Sequence, residues 1–297
     1  MDTQTGHYFL FKQQAVMDFR KVLVQVVQLL PGRVVNWAGA AQFRYPFLAP
    51  LIRKVGGAIR DGEAIISSGV AKGLRINGEH GFPGYVLGTT EPEQQMWLLE
   101  NIKAGDVVYD IGANIGFFAL LCGKLTGQGG RVEAFEPNPI CADACRKNIT
   151  LNGYDHVNVQ QIALSDSEGE VSFTFPGHST ALGKIAKNEK QGDAGPAFTV
   201  RSATLDSYLA KNNLRSPTML IIDVEGHEIE VLNGAYNTIR RFRPIINCEV
   251  HWLGEAFIKY FKETLEPLGY QLRNITTEPI PADTQRWQSI MACKSDL

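Results

Sequence analysis

Apolar residues follow two alternating spacings along the C-terminal two thirds of the chain. Short runs rich in β-branched and aromatic residues are separated by segments with the three- and four-residue spacing of helices. The predicted strands of the main sheet cover residues 107–109, 131–136, 157–162, 218–223, 244–250, 270–275 and 288–294. An added antiparallel strand is predicted at 170–175, and one of the helices is predicted at 229–240. Strands that alternate with helices favour a parallel sheet covered on both faces, and the last two strands favour an antiparallel edge. We therefore predict an α/β fold with a doubly wound, mostly parallel seven-stranded sheet of Rossmann-like type.

The first 100 residues follow a different pattern. Residues 12–30 have helical spacing, and an apolar, basic segment interrupted by prolines follows at 33–59. Residues 62–90 contain three short strand-like pieces separated by glycines, the last at 84–88, and a helix begins near Pro92. These changes predict three parts: a helical, basic extension at 1–60, a small β meander with a lead-in helix at 61–100, and the main domain at 101–297.

Charge is distributed unevenly along the 297 residues. The net charge is −2, yet the first 60 residues carry eight lysines and arginines against two acids. Without an overall basic excess, the chain is not expected to bind nucleic acid. The N-terminal extension suits a helical cap or a homodimer contact, which we favour, or peripheral contact with an anionic membrane surface. We expect no spanning helix and no secretory leader, and five cysteines without a disulfide pattern predict a cytoplasmic protein.

A glycine turn follows the first predicted strand of the main domain. Asp110 ends the strand, and Gly112, Asn114 and Gly116 follow before a helix begins at Phe117. Glycines let the backbone approach a ligand closely, and the start of the helix offers free N–H groups. The spacing Gly-x-x-x-Gly differs from the dinucleotide-binding Gly-x-Gly-x-x-Gly, and a carboxylate aimed into the turn would repel a pyrophosphate. The turn therefore favours a cationic ligand without phosphate, such as S-adenosylmethionine.

A second acid supports an adenosine ligand. Glu136 ends the next strand, 20 residues beyond Gly116, at the spacing of a carboxylate that binds ribose hydroxyls. Asn114 suits either a backbone contact within the turn or a contact to the carboxylate of the ligand. The alternative is a purely structural glycine turn beside an unrelated surface acid.

Ionisable residues also follow the fourth and fifth predicted strands. Asp223 and Glu225 end one strand, and Glu249 and His251 end the other. Alternation places each pair on a shared face of neighbouring strand ends, where ligands of doubly wound sheets bind. Two carboxylates and an imidazole can remove a proton from a hydroxyl or hold a divalent cation such as magnesium. Alternatively, Glu225 or Glu228 caps the helix that follows.

Several motifs in combination resemble the FkbM family of S-adenosylmethionine-dependent methyltransferases. They are Val-Tyr-Asp-Ile-Gly-Ala-Asn-Ile-Gly at 108–116, Ala-Phe-Glu-Pro-Asn-Pro at 134–139, Ala-Leu-Ser-Asp at 163–166, Thr-Leu-Asp-Ser-Tyr-Leu at 204–209 and Ile-Ile-Asp-Val-Glu-Gly-His-Glu-Ile-Glu-Val-Leu-Asn-Gly-Ala at 221–235. The resemblance extends over residues 85–251, includes Glu-Pro-Glu at 91–93, and leaves the first 60 residues outside.

The resemblance implies the class I methyltransferase form of the fold and methylation of hydroxyl groups on sugars, glycolipids or polyketide-type natural products. It implies a cofactor site built from Asp110, Gly112, Asn114, Gly116, Glu136 and Asp166. The Asp-Val-Glu-Gly segment of the family corresponds to residues 223–226.

We predict in-line transfer of a methyl group from sulfur to a hydroxyl oxygen of a small-molecule or glycan acceptor. Asp223 or His251 would take the proton, with Glu249 orienting His251. If a metal takes part, its predicted ligands are Asp223, Glu225 and Glu249.

Two other functions stay open. One is an NAD-dependent oxidoreductase, which the glycine spacing and Asp110 disfavour. The other is a non-catalytic, cofactor-binding scaffold that docks a membrane or a partner through the N-terminal extension. The set of acids after the fourth and fifth strands disfavours a site without activity.

Overall fold

The computed structural model of the protein describes residues 22, 26, 27, 45, 47, 49–174, 184–185, 197–276 and 286–293. The chain divides into two compact units, Met1–Thr90 and Glu91–Leu297. The helix predicted at 12–30 lies outside the described residues, apart from three helical valines at 22, 26 and 27. This helix and the division into three parts therefore stay predictions. Among the described residues, no helix is long and apolar enough to cross a membrane.

The first unit contains a small antiparallel sheet between two helices in its described part. Helix α1 spans Ala49–Arg60, strands β1 and β2 span Glu63–Ile65 and Arg75–Asn77, and helix α2 spans Pro83–Leu87. The predicted third strand at 84–88 is wrong, because this segment is α2. Pro83 suits the first helical turn, and Gly88 ends the helix with a φ of 71°. A short apolar run does not distinguish a strand from a buried helix by its pattern alone.

The second unit is built around the predicted sheet. In chain order its elements are α3 (Pro92–Asn101), β3 (Val107–Ile111), α4 (Phe117–Thr126), β4 (Arg131–Phe135), α5 (Pro139–Leu151), β5 (Val157–Gln160), β6 (Ala163–Leu164), β7 (Gly169–Thr174), β8 (Lys184–Ile185), β9 (Ala197–Ala203), α6 (Leu205–Lys211), β10 (Met219–Ile222), α7 (Glu228–Gly234), α8 (Tyr236–Phe242), β11 (Ile245–His251), α9 (Gly254–Tyr260), β12 (Tyr270–Asn274) and β13 (Arg286–Cys293). The sheet has the strand order β12-β13-β11-β10-β3-β4-β5. Strands β10, β11, β3, β4 and β5 are parallel, whereas β12 and β13 form an antiparallel edge. The predicted α/β fold is confirmed.

Two segments of the second unit depart from the prediction. The strand predicted at 170–175 is present as β7, but it belongs to a separate sheet of order β6-β9-β7-β8, and its partner β9 was not predicted. The helix predicted at 229–240 is divided into α7 and α8. The division follows from Asp206, whose Oδ2 and Oδ1 accept the backbone N–H groups of Asn237 and Thr238 at 2.9 and 2.7 Å. The new helix start is therefore satisfied by a side chain from α6.

Side chains on the two faces of the sheet enter different cores. Val107, Tyr109 and Ile111 of β3 pack into a large apolar cluster with residues of α6, α7, α8 and α9. The opposite face meets α3, where Gln94 Nε2 donates to Oδ1 of Asn247 in β11 at 2.6 Å. With both faces covered, the central strands β3 and β10 are almost entirely apolar. The few ionisable residues at their ends are therefore informative.

The chain reverses its direction of winding at β3. Strands β4 and β5 follow on one side of β3, and β10 and β11 lie on the other. All five strands run parallel, so their carboxyl ends share one edge of the sheet. Beyond these ends, Asp223 donates its backbone N–H to the carbonyl oxygen of Ile111 at 2.9 Å. This is the switch point at which open α/β sheets bind ligands.

Candidate active site

The glycine turn after β3 adopts a backbone that glycine permits and other residues rarely adopt. Gly112 and Gly116 have φ of 94° and 90°, and Asn114 between them has φ of 51°. A Cβ on Gly112 would lie 1.8 Å from the carbonyl oxygen of Asp223, and one on Gly116 would lie 2.6 Å from Sγ of Cys145. Both glycines are thus required by close packing as well as by φ.

Glu136 holds this turn from the end of β4. Its Oε2 accepts the N–H of Asn114 and its Oε1 accepts the N–H of Asn138, both at 2.8 Å. Burial raises the pKa of Glu136 to about 7, although both N–H groups act in the opposite direction. The structure therefore gives Glu136 a role within the protein in addition to its predicted contact with ribose.

Asp110 lies beneath the turn and is 3% exposed. Burial raises its pKa to about 7, the charge of Glu136 adds to this effect, and a hydrogen bond from the N–H of Ala119 opposes it. Its Oδ2 has no hydrogen-bond partner among the described residues. A buried carboxylate oxygen without a partner destabilises the protein unless a proton, a cation or a donor reaches it.

Asp166 lies on the loop after β6, where it is exposed. It accepts hydrogen bonds from the hydroxyls of Ser165 and Ser167 at 3.3 and 3.1 Å. Ser165 Oγ in turn lies 2.9 Å from Nε2 of His227. The loop of Asp166 is therefore tied to the segment after β10.

The predicted acids and histidine after β10 and β11 meet in one cluster. Nε2 of His251 lies 3.4 Å from Glu249 Oε1 and 3.8 Å from both Asp223 Oδ1 and Glu225 Oε2. His251 and Glu249 are buried, whereas the side chains of Asp223 and Glu225 are 38% and 26% exposed. The open side of the cluster thus carries carboxylates, with the imidazole directly behind them.

Glu228 is the acid that orients His251. Its Oε1 lies 2.9 Å from Nδ1 of His251 and also accepts the N–H of Gly226 at 3.0 Å. The predicted helix-capping role of Glu228 is consistent with the second contact, since Glu228 begins α7. Sequence reasoning gave the orienting role to Glu249, but Glu249 lies on the Nε2 side of the ring. Because Oε1 of Glu228 accepts, Nδ1 carries a proton and Nε2 is left as the basic nitrogen.

Glu249 is held by β13 rather than by His251 alone. Its Oε1 contacts Nε of Arg286, and its Oε2 accepts from Nε2 of Gln288 at 2.7 Å. The same two side chains donate to Glu91, at 2.8 Å from Arg286 and 3.2 Å from Gln288. Glu91 begins the Glu-Pro-Glu motif, whereas no sequence signal marked Arg286 or Gln288.

The surroundings of Asp223 and His251 raise the pKa of both side chains, which suits proton transfer. Withdrawal from water raises the pKa of Asp223 to about 7, with opposition from His251 and support from Glu91. Burial acts to lower the pKa of His251, but the hydrogen bond that Nδ1 donates to Glu228 and the charges of the nearby carboxylates outweigh it, so that this pKa is raised. Groups that titrate near neutrality are typical of general acids and bases.

A metal-binding geometry is present in part. Ligand atoms of Asp223, Glu249 and His251 lie within 4.8 Å of one another. This set contains His251 where the sequence predicted Glu225. Both oxygens of Glu249 are already engaged by Arg286 and Gln288. A cationic guanidinium on a ligand oxygen opposes a divalent cation, so the donor set does not fit a metal as it stands.

Strained backbone is concentrated in the glycine turn and in the cluster around His251. Seven non-glycine residues with positive φ occur in the described part of the chain. Four of them belong to the site: Glu91, Asn114, Glu225 and Trp252, with φ of 43°, 51°, 52° and 54°. Each such conformation costs about 1–3 kcal/mol and is typical of functional sites.

A family model, the methyltransferase FkbM domain, matches residues 110–273. The chain is 32% identical over 154 residues to the hexuronic acid methyltransferase AglP of Haloferax volcanii, an alignment that covers 52% of this chain and 59% of that protein. It is 29% identical over 177 residues to the 31-O-demethyl-FK506 methyltransferase FkbM of Streptomyces tacrolimicus, covering 50% and 67%. The alignment with the first relative therefore spans less than two thirds of that protein.

The crystal structure of methyltransferase FkbM from Methylobacillus flagellatus KT is similar at 16% identity with a TM-score of 0.41, covering 63% of this chain and 43% of that one. The family match runs from Asp110 in β3 to Arg273 in β12 and contains the glycine turn and the cluster around His251. On this match, the chain belongs to the FkbM methyltransferase domain family.

Proposed function

We propose that the protein is an S-adenosylmethionine-dependent O-methyltransferase that acts on a hydroxyl of a small-molecule or glycan acceptor. The observation that carries this proposal is the position of His251, with Nδ1 fixed by Glu228 and Nε2 turned towards the partly open carboxylates. The strand of this base, β11, is separated only by β10 from β3, whose glycine turn has the features of a cofactor site. One relative is named as a 31-O-demethyl-FK506 methyltransferase, which supports methyl transfer to oxygen, and the other is named for a hexuronic acid, which supports a sugar-type acceptor.

The glycine turn fits S-adenosylmethionine by its donor and acceptor set. Gly112 and Gly116 leave space where side chains would stand, and Glu136 offers a carboxylate for ribose hydroxyls. The buried oxygen of Asp110 without a partner suits a ligand that brings positive charge. Asn114 and Asp166 complete the proposed set. When bound, S-adenosylmethionine supplies an electrophilic methyl group.

An acceptor hydroxyl must lose its proton as its oxygen becomes nucleophilic. We assign that proton to Nε2 of His251, because Nδ1 is held by Glu228 and the resulting imidazolium is stabilised by that carboxylate. Asp223 lies 3.8 Å from the same nitrogen and is partly exposed, so it can accept a hydrogen bond from the incoming hydroxyl. Arg286 and Gln288 keep Glu249 in place beside the ring.

The test compares Asp223→Asn and His251→Asn with the exposed control Asp155→Asn, which lies before β5. Turnover of S-adenosylmethionine to S-adenosylhomocysteine is measured with a panel of methyl glycosides and macrolactones, and S-adenosylhomocysteine binding is measured by calorimetry. We expect both site variants to lose about 10²–10⁴-fold in kcat and to retain cofactor binding. Near-normal turnover in His251→Asn would refute the assignment of the base.

The same assay separates the other functions. We expect turnover to persist in EDTA, because Arg286 and Gln288 occupy Glu249. Loss of turnover in EDTA that magnesium restores would favour the metal-assisted route through Asp223, Glu249 and Glu225 or His251. Binding of NAD in preference to S-adenosylhomocysteine would favour an oxidoreductase. Cofactor binding without turnover on any acceptor would favour a scaffold.

A further inference from the structure

One aromatic side chain at the site is not used by the proton transfer. Trp252 directly follows His251 at the end of β11, and its side chain is 58% exposed. In the described part of the second unit, the other exposed large apolar side chains are Met96, Leu99 and Ile140, on helices α3 and α5. Trp252 is thus an exposed apolar side chain next to the cluster of carboxylates around His251.

The backbone at Trp252 is held in a strained conformation. Its φ of 54° belongs to the left-handed region, where a bulky residue is a genuine outlier. Gly226 stands opposite, and a Cβ there would lie 3.3 Å from Cε3 of the indole. Strain of this kind persists where the surroundings fix it, and it is common at ligand-binding positions. No core packing accounts for it, since more than half of the side chain is open to solvent.

The position of the indole relates it to the acceptor. Its ring centroid lies 5.4 Å from that of His251, with 47° between the ring planes. Nε2 of His251 also lies 3.8 Å from each of the partly exposed carboxylates of Asp223 and Glu225. A molecule resting on the indole therefore lies beside the proton acceptor and beside two hydrogen-bond acceptors.

Given the proposed O-methyl transfer, on which this inference rests, we propose that Trp252 is the platform on which a pyranose ring of the acceptor stacks. A pyranose has an apolar C–H face that matches an indole, and hydroxyl donors around its rim. The rim donors match the carboxylates of Asp223 and Glu225. A polyketide macrocycle, by contrast, needs a broad apolar wall, whereas Trp252 lies beside His251 and the carboxylates that surround that ring. The acceptor class is therefore a sugar or a glycan bearing one.

The test measures binding rather than turnover, so it does not depend on finding the natural acceptor. Methyl α- and β-D-glucopyranoside, methyl α-D-mannopyranoside and methyl β-D-galactopyranoside are titrated onto the full chain, with and without S-adenosylhomocysteine. Saturation-transfer difference NMR reports which C–H protons contact the protein. D-sorbitol serves as a polyol without a ring, and a macrolactone as the polyketide-type probe.

The key variant is Trp252→Gly, which removes the indole and suits a φ of 54° without strain. We expect at least one pyranoside to bind the wild-type chain through C–H protons of one ring face, about tenfold more tightly than it binds Trp252→Gly. Trp252→Phe should retain most of this binding. Leu99→Ala, a control at another exposed apolar side chain, should not change it.

Several results would overturn the pyranose platform. One is equal binding of all pyranosides to the wild-type chain and to Trp252→Gly. Another is binding of sorbitol that is as tight as that of the pyranosides. A third is a dependence on Trp252 that is seen only with the macrolactone. The Tm of Trp252→Gly, expected to be unchanged or higher, excludes misfolding as the cause of a loss. Failure to bind S-adenosylhomocysteine while pyranosides still need Trp252 would instead count against the proposed methyl transfer alone.

Discussion

At the scale of single residues, the orientation of one imidazole decides what the site can do. His251 has carboxylates on both sides, but only Glu228 meets Nδ1 within hydrogen-bond distance. Glu228 is fully buried, and its second oxygen has no hydrogen-bond partner among the described residues. A buried acid retained in this way acts on the ring that it faces. It raises the pKa of His251 against the effect of burial.

This arrangement predicts the pH dependence of the reaction. His251 must be neutral at Nε2 to accept a proton, and its pKa is raised above the ordinary value of 6.5. The value of kcat/KM should therefore rise with pH as the imidazolium of His251 loses its proton, with an apparent pKa above 6.5. In Glu228→Gln the amide oxygen can still accept from Nδ1, but the charge is gone, so this limb should move to lower pH. The plateau should fall about tenfold or more as the imidazolium loses its counter-charge.

Glu230→Gln is the matched control for this profile. Glu230 lies on the same helix, α7, but its carboxylate is 3.6 Å from Nδ1 of His227 and not beside His251. It should leave the acid limb in place. An acid limb that does not move in Glu228→Gln would show that Glu228 has only a structural role.

At the scale of elements, the glycine turn links the two halves of the site. The carbonyl oxygen of Asp223 occupies the space where a side chain on Gly112 would stand. The glycine turn and the first residue after β10 are therefore positioned against each other by direct contact. A shift in one displaces the other, because close-packed interiors transmit small displacements.

A pair of glycine variants separates this contact from backbone strain. Gly112 and Gly105 share a φ of 94°, but an added Cβ on Gly105 meets nothing within 4 Å. Gly105→Ala should therefore lose about 1–2 kcal/mol of stability from φ alone. Gly112→Ala should lose more than about 4 kcal/mol or fail to fold, because backbone atoms must move. Urea unfolding monitored by circular dichroism measures both, and equal losses would contradict the proposed contact.

The elements also show what the sequence could and could not predict. Strands β3, β4, β10 and β11 were predictable because each is a short, mainly apolar segment with an ionisable residue in or directly after its last positions. Helix α2 was not, because five apolar residues fit either structure. The break between α7 and α8 depends on Asp206, far away in sequence. Local periodicity does not contain such a partner.

At the scale of the whole molecule, the sheet order brings together residues that sequence spacing separates. The acids after β10 and β11 were predicted to meet, because parallel strands share one edge. The contacts of Arg286 with Glu91 and Glu249 were not predicted, since they depend on the position of β13 between β11 and β12 in the sheet. Register, rather than composition, places Arg286 opposite His251.

The buried ionisable groups together predict how the stability of the ligand-free protein depends on pH. Removal from water raises the pKa values of the buried Asp110 and Glu136, and of the partly exposed Asp223, to about 7. The folded protein therefore keeps protons that the unfolded chain has released. Their contribution is present in full below the unfolded pKa values and is lost as pH rises through about 7. The Tm should consequently fall between about pH 4 and about pH 7, and this contribution should be constant above that range.

Differential scanning calorimetry across this range tests the expectation. Asp110→Asn removes one of the titrating groups and should reduce the slope of Tm against pH. The exposed control Asp155→Asn should leave the slope unchanged. A Tm that rises between about pH 4 and about pH 7 would contradict the raised pKa values.

The pairing of Glu91 with Arg286, 195 residues later in the chain, has a consequence for biosynthesis. During translation β12 emerges before β13, yet β12 joins the sheet only through β13. Until the ribosome has released β13, β11 has an unpaired edge that can recruit other chains. The contacts of Arg286 with Glu91 and Glu249 therefore form only after β13 has been made. A nascent chain that already contains every residue of the family match still lacks the arginine that fixes Glu249.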